Sequence, residues 1–248
     1  MHAPLPAVTP SRTAFFFDLD GTLADFCLRP EDVRIAAQPL ADLAALADLS
    51  GALAVVSGRA LSEIDRLIAP LAVPAAGVHG VERRDANGTV HRLPPEELPP
   101  PELAGRLERA LAAFAGAFVE DKGAALALHY RGAPTHARAV LAIAQAAVVR
   151  HPQLRLQPGK FVVELKPARA DKGRAITAFL DEAPFAGRTP LFIGDDRTDE
   201  AGFAVVNAAR GISIKVGPGE TCATYRLDSV EAAAAWLRDL VCPGTPPV

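Results

Sequence analysis

The stretch Ala14-Phe15-Phe16-Phe17-Asp18-Leu19-Asp20-Gly21-Thr22-Leu23 joins an unbroken apolar run to two carboxylates set two residues apart. Four apolar residues without alternation read as a strand buried on both faces, the kind a parallel sheet uses. Asp18 then stands at the strand's carboxyl end, and Gly21 permits a turn that keeps Asp20 at the same rim. Two further runs repeat the pattern: Leu53-Ala54-Val55-Val56 before Ser57, and Leu191-Phe192-Ile193 before Gly194-Asp195. Between and after them Leu61, Ile64, Leu67 and Ile68, and later Ile176, Phe179 and Leu180, recur at helical spacing. Alternating strands and helices predict an α/β fold with a Rossmann-like, doubly wound parallel sheet. Ligands of such sheets collect beyond the carboxyl ends of the strands, so the three polar strand ends are expected to face one crevice.

The middle of the chain breaks this rhythm. A Pro-rich stretch from Leu93 to Pro101 follows a turn at Asn87-Gly88, and a helix is predicted from about Glu102 to Ala115. An alternating run from Ala124 to Tyr130, a second helix near Thr135 to Val149 and a strand from Phe161 to Leu165 complete a compact α+β module. The expected organisation is a core domain in two parts, residues 1–82 and 169–248, with the module inserted at 83–168.

Composition supports a folded enzyme. Of 248 residues half are hydrophobic and 22% charged, which excludes a disordered chain. A formal net charge of -3 supplies no basic field for nucleic acid or an anionic membrane, so a small-molecule partner is expected, with no nucleic acid and no membrane. Met1 to Thr13 lacks a secretory pattern, and no apolar run reaches spanning length. Cys27, Cys222 and Cys242 are odd in number and far apart, which argues against a disulfide framework or zinc site and for a cytoplasmic location. Pro243 to Val248 read as a frayed tail.

Phosphoryl transfer to a carboxylate needs a nucleophile in line with phosphorus, and an acid that protonates the leaving oxygen and later deprotonates water. Asp18 suits the first role and Asp20 the second. Two carboxylates repel a phosphate, so a hard cation is required, for which Asp195 supplies another oxygen. Asp196 and Asp199 are candidates for metal-bound water or an outer position, although acids in a first helical turn also complement the helix dipole. Ser57, ahead of Gly58-Arg59, offers a hydroxyl and nearby amides to phosphoryl oxygens, and Lys172 in Asp171-Lys172-Gly173 neutralises developing charge. The bland alternatives are a helix-capping serine and a solvated lysine. A polyol suits carboxylates and ammonium groups, which makes Glu120, Lys122 and Glu164 of the inserted module candidates for sugar binding. A solvated charge cluster on a strand edge is the alternative for Glu120 and Lys122.

Asp18-Leu19-Asp20-Gly21-Thr22, Ser57, Lys172 and Gly194-Asp195-Asp196, in that order, resemble the four signature motifs of the haloacid dehalogenase superfamily. The inserted module resembles its cap domain. That resemblance implies an aspartyl-phosphate on Asp18, Asp20 as acid and base, and Mg2+ held by the Asp18 side chain, the Asp20 main-chain carbonyl and Asp195.

A narrower resemblance, from Ala14 to Leu240, is to the trehalose-6-phosphate phosphatase family. It rests on Gly77-Val78-His79-Gly80-Val81-Glu82, Ala127-Leu128-His129-Tyr130-Arg131, Val163-Glu164-Leu165-Lys166-Pro167, Gly194 to Glu200 and Gly217 to Leu227. It implies that trehalose 6-phosphate is the substrate, in the last step of trehalose synthesis, with functional pairing to a trehalose-6-phosphate synthase. It also implies Glu120, Lys122 and Glu164 as sugar ligands, with His79, Gly80, Arg131 and Lys166 as further binding residues. A sucrose-phosphate phosphatase and a non-catalytic regulatory module are the alternatives.

Overall fold

The computed structural model describes residues 4–25, 32–159 and 161–242. Cys27 and the tail from Pro243 to Val248 lie outside the described residues. In chain order the strands are β1 (Thr13–Phe17), β2 (Leu53–Val56), β3 (Ala75–Gly77), β4 (Glu82–Arg84), β5 (Val90–Arg92), β6 (Phe118–Asp121), β7 (Leu126–His129), β8 (Leu154–Gly159), β9 (Val162–Pro167), β10 (Thr189–Gly194), β11 (Ile212–Val216) and β12 (Tyr225–Leu227). The helices are α1 (Ala37–Ser50), α2 (Leu61–Ile68), α3 (Pro101–Leu111), α4 (Ala137–Arg150), α5 (Lys172–Leu180), α6 (Glu200–Ala208) and α7 (Val230–Val241). They form two compact units, residues 1–91 with 171–248, and residues 92–170.

The larger unit is built on an eight-stranded sheet in the order β12-β11-β10-β1-β2-β3-β4-β5. From β12 to β3 neighbouring strands run parallel; β4 turns back antiparallel to β3. Strand β1 is buried at all five positions because its side chains alternate between two cores. Phe15 and Phe17 join Val55 and Ile193 under α1, α2 and α7, while Ala14 and Phe16 join Val56, Phe192, Phe179 and Phe203 under α5 and α6. Fully burying a phenylalanine contributes about 1.5–3 kcal/mol each. The crossover order places β1 at the middle of the sheet, with β10 and β2 on either side. The three strand ends read from the sequence are therefore adjacent.

The smaller unit is a four-stranded antiparallel sheet in the order β6-β7-β9-β8. Leu103, Leu107 and Leu111 of α3 and Val140, Ala144 and Ala147 of α4 bury one face against Leu126, Leu128, Leu154, Val163 and Leu165. The other face takes the alternate residues. In register across it stand Glu120, Ala127, Glu164 and Gln157. Where the sequence reading sets the module at 83–168, the compact unit runs from 92 to 170. The reason is hydrogen bonding: Glu82–Arg84 pairs with β3 and so extends the larger sheet. Among the described residues no helix is long and apolar enough to cross a membrane.

Candidate active site

Asp18 leaves β1 with its amide donating to the Ile193 carbonyl at 3.0 Å, which ties the first strand end to the third. Its carboxylate is buried and lies 2.9 Å from Lys172 Nζ. Lys172 opens α5 behind the Asp171 cap, whose side chain accepts from the Arg174 amide, and it is 2% exposed. The same ammonium donates to Asp199 Oδ1 at 2.7 Å. Asp199 Oδ2 accepts from the amides of Asp195 and Asp196, both at 2.9 Å. Gly194 makes this possible, since a Cβ there would come within 2.4 Å of the Asp199 carboxyl carbon. A continuous chain of charge-assisted bonds thus runs from Asp18 through Lys172 and Asp199 to the backbone that presents Asp195.

The electrostatics of this cluster are unbalanced. Burial pushes the Asp18 carboxyl well above the usual range; Lys172 pulls it back, and Asp199 and Asp195 push it further up. Asp195 is pushed up to about 7 by burial first, then by Asp199 and Asp196, against Lys172 and Lys215. Asp199 is also raised by burial, opposed by Lys172. Burial works to discharge Lys172, but Asp18 and Asp199 outweigh it and raise its pKa. Carboxylates gathered around one ammonium are short of positive charge. Oxygens of Asp18, Asp195 and Asp199 lie within 4.8 Å of one another, close enough to hold a metal ion. The donor set is all carboxylate oxygen, which suits a hard divalent cation such as Mg2+. Both Asp199 oxygens already accept hydrogen bonds, from Lys172 and from the Asp195 and Asp196 amides, so among the three carboxylates Asp199 is the one most tied to protein groups.

Asp20 faces a different partner. Arg59 grips it as a fork, Nε to Oδ2 at 2.7 Å and Nη2 to Oδ1 at 2.7 Å, with Glu63 at 3.6 Å from the same guanidinium. The hydrogen bond to Asp20 raises the Arg59 pKa, against burial. Ser57 is buried at the end of β2, and its hydroxyl accepts from the Arg59 amide at 3.2 Å. Its carbonyl accepts from the His79 amide at 2.9 Å. The His79 ring lies against Gly58, where a Cβ would meet Cε1 at 2.7 Å, so any side chain there would displace the ring. This approach is held by strained backbone: Val78, His79 and Gly80 have φ of 47°, 57° and 95°. A β-branched valine in that region is an outlier of the kind that costs about 1–3 kcal/mol and gathers at functional sites.

The structure thus brings Asp18, Lys172, Asp195 and Asp199 into one cluster, and Asp20, Ser57, Gly58, Arg59, His79 and Gly80 into a second group in the same unit. Asp196 joins the first cluster through its amide, which donates to Asp199, and through its charge, while its side chain is exposed and its Oδ1 accepts from the Thr198 amide and hydroxyl, at 2.6 and 2.5 Å. It shapes the turn into α6. Two residues escaped the sequence. Lys215 is buried on β11 and its ammonium donates to the Asp195 and Val216 carbonyls. A lysine inside Ile212-Ser213-Ile214-Lys215-Val216 was its signal. Val78 is the other, and its strain leaves no local sequence mark.

The remaining candidates lie in the smaller unit. Lys122 donates to Glu164 at 2.6 Å, and His129 Nε2 meets Glu120 at 2.8 Å. Arg131 is exposed, with its guanidinium 5.9 Å from the Phe161 ring centroid. Lys166 is buried on β9 opposite Arg155 of β8.

A family model described as trehalose-phosphatase matches residues 16–231. The chain is 48% identical to trehalose-6-phosphate phosphatase of Escherichia coli over 92% of its own length and 86% of that protein. Its fold is similar to the C-terminal domain of Candida albicans trehalose-6-phosphate phosphatase, with TM-score 0.78 at 19% identity, covering 97% of this chain and 99% of that one. It is also similar to a haloacid dehalogenase-like hydrolase from Bacteroides thetaiotaomicron, with TM-score 0.70 at 13% identity, covering 92% and 99%.

Proposed function

The chain belongs to the trehalose-phosphatase family, and from that premise we propose that it hydrolyses trehalose 6-phosphate to trehalose and phosphate through a phosphoryl group carried on Asp18. The observation that carries the mechanism is the buried run from Asp18 through Lys172 to Asp199. Lys172 holds Asp18 Oδ1, so Oδ2 is the oxygen free to attack phosphorus. As the Asp18–phosphorus bond forms, the bond to the sugar oxygen breaks and Asp20 gives that oxygen its proton. Asp20 then takes a proton from water, whose oxygen attacks the same phosphorus. Phosphate leaves and the Asp18 carboxylate is restored.

Asp20 must quit the Arg59 fork to do this, and the arriving phosphate offers Arg59 a substitute anion. The Ser57 hydroxyl and neighbouring amides are donors for the phosphoryl oxygens. Mg2+ held by the side chains of Asp18 and Asp195 and the carbonyl of Asp20 would supply the missing positive charge and polarise the phosphate. The polar face of the smaller unit, with Glu120, Lys122 and Glu164, is assigned to the sugar. His79, Gly80, Arg131 and Lys166 are assigned to substrate binding. The reading places the reaction in the cytoplasm, supplied by a trehalose-6-phosphate synthase, and the free thiols of Cys222 and Cys242 suit a reducing compartment.

Phosphate release from trehalose 6-phosphate, sucrose 6-phosphate and glucose 6-phosphate, with Mg2+ and with a chelator, tests the reading. Trehalose 6-phosphate is expected to exceed glucose 6-phosphate in kcat/KM by at least about tenfold, and chelation to abolish turnover. Equal rates on both sugars would remove the substrate assignment.

A further inference from the structure

The helix-free face of the smaller sheet carries one row that crosses all four strands: Glu120 on β6, Ala127 on β7, Glu164 on β9 and Gln157 on β8. Strands are spaced about 4.8 Å apart, so the row spans roughly 14 Å, more than one pyranose ring. Ala127 is fully buried, so the groups of the row that a ligand can reach are those of Glu120, Glu164 and Gln157. Alternation fixes the direction of Gln157: Leu154 and Leu156 on the same strand pack with the helix-covered core, so Gln157 is directed to the opposite face with Glu164.

The polar groups around Gln157 are committed. Glu120 is engaged by His129, Glu164 by Lys122, and Arg155 donates to the Ala170 carbonyl at 2.6 Å. The Gln157 amide is half-buried and makes no side-chain hydrogen bond with another described residue. A half-buried amide keeps two donors and an acceptor ready for a ligand that offers both, as a sugar hydroxyl does. It is uncharged, so it discriminates by geometry of hydroxyls and not by charge.

We propose that Gln157 is a specificity-determining residue, the fourth member of this row, hydrogen-bonded to a hydroxyl of the substrate's sugar. The proposal rests on the trehalose 6-phosphate reading above. It assigns the length of the row to a disaccharide: a one-ring phosphate cannot occupy both the Glu120 end and the Gln157 end.

The experiment compares the wild-type protein with Gln157→Leu, which keeps the volume and loses the hydrogen bonds, using trehalose 6-phosphate and p-nitrophenyl phosphate with Mg2+. The ratio of kcat/KM on trehalose 6-phosphate to that on p-nitrophenyl phosphate is expected to fall about tenfold, through KM, because the lost bonds are made in the ground state as well. Gln157→Asn, a shorter amide, is expected to recover part of the ratio. If the wild-type protein turns over trehalose 6-phosphate well and Gln157→Leu leaves the ratio unchanged, Gln157 is no specificity residue and the substrate assignment stands. An equal loss on both substrates makes its role structural and overturns the proposal. Failure of the wild-type protein on trehalose 6-phosphate strikes the substrate assignment itself, and this proposal with it.

Discussion

Two ammonium–carboxylate contacts of nearly equal length stand in opposite solvents. Lys172 meets Asp199 at 2.7 Å with 2% of its side chain exposed, and Lys122 meets Glu164 at 2.6 Å with 35% exposed. The first is built into the strand ends of the larger unit, where each partner's second contact is also a protein group. The second is partly exposed, with Glu164 at 16%, and competes with water. Bond length is thus no guide to what each contact does. A dry, over-determined cluster holds reacting atoms in place and stabilises charge that develops there. A wet, loosely tied pair is easily exchanged for the hydroxyls of a ligand. One arrangement suits chemistry and the other recognition.

The largest effect is expected from removing the nucleophile. Asp18→Asn should lower phosphate release by at least about 10⁴-fold, as deletions within cooperating catalytic groups do. It should also melt no lower than wild type when Mg2+ is withheld, because burial already disfavours the charged carboxyl. Residual activity near wild type would take Asp18 out of the mechanism. On the other side of the comparison no single polar substitution should approach this loss.

The contrast in solvent is tested by matched lysine deletions. Lys172→Met leaves Asp18 and Asp199 buried without their common partner, and unfolding experiments are expected to show about 3–5 kcal/mol lost. Lys122→Met should cost about 0–1 kcal/mol, the range for exposed pairs. Similar losses at both sites would break the distinction between the two regions.

The same contrast explains what the sequence disclosed. Asp18, Ser57 and Asp195 were legible because each directly follows an apolar run, so local pattern alone set them at one rim of the sheet. Lys172 was legible as a cation in Asp171-Lys172-Gly173, but its place at the opening of α5 behind the Asp171 cap was not. Their engagement was not legible: the Arg59 fork on Asp20 joins residues 39 apart, and the Lys172 bond to Asp199 joins residues 27 apart. Lys215 hid inside an apolar strand. In the smaller unit the row containing Gln157 depends on register across four strands, which no single segment encodes. The reversal at β4 escaped for the same reason: a three-residue antiparallel partner leaves too short a pattern to read.

Asp195 offers a way to see the charge deficit directly. Its carboxyl titrates near 3.8 when the chain is unfolded and is pushed up to about 7 in the folded protein. Between those values the folded state binds more protons, so this group's contribution is favourable below pH 4 and is lost as pH rises towards 7. In chelator, Asp195→Asn is therefore expected to melt above wild type at pH 8, with the gap closing towards pH 5. Saturating Mg2+ should reverse the order at pH 8, since the cation stabilises only the protein that binds it. A gap that ignores both pH and Mg2+ would mean that repulsion among these carboxylates is relieved in some other way.

The smallest effect belongs to the recognition face. Glu164→Gln keeps an acceptor for Lys122 but removes the charge, and Glu164 is coupled to its neighbours mainly through that one contact. Stability should shift by no more than about 1 kcal/mol, as for partly exposed pairs. The kinetic signature is more telling than the size: KM for trehalose 6-phosphate should rise about tenfold with kcat changed far less, the pattern of a contact made equally in ground and transition states. A fall in kcat of the order expected for Asp18→Asn would move Glu164 into the chemistry and erase the division of labour that the two lysines mark. A rise in KM confined to the disaccharide, measured beside glucose 6-phosphate, would sharpen it, because only the longer substrate reaches across the row.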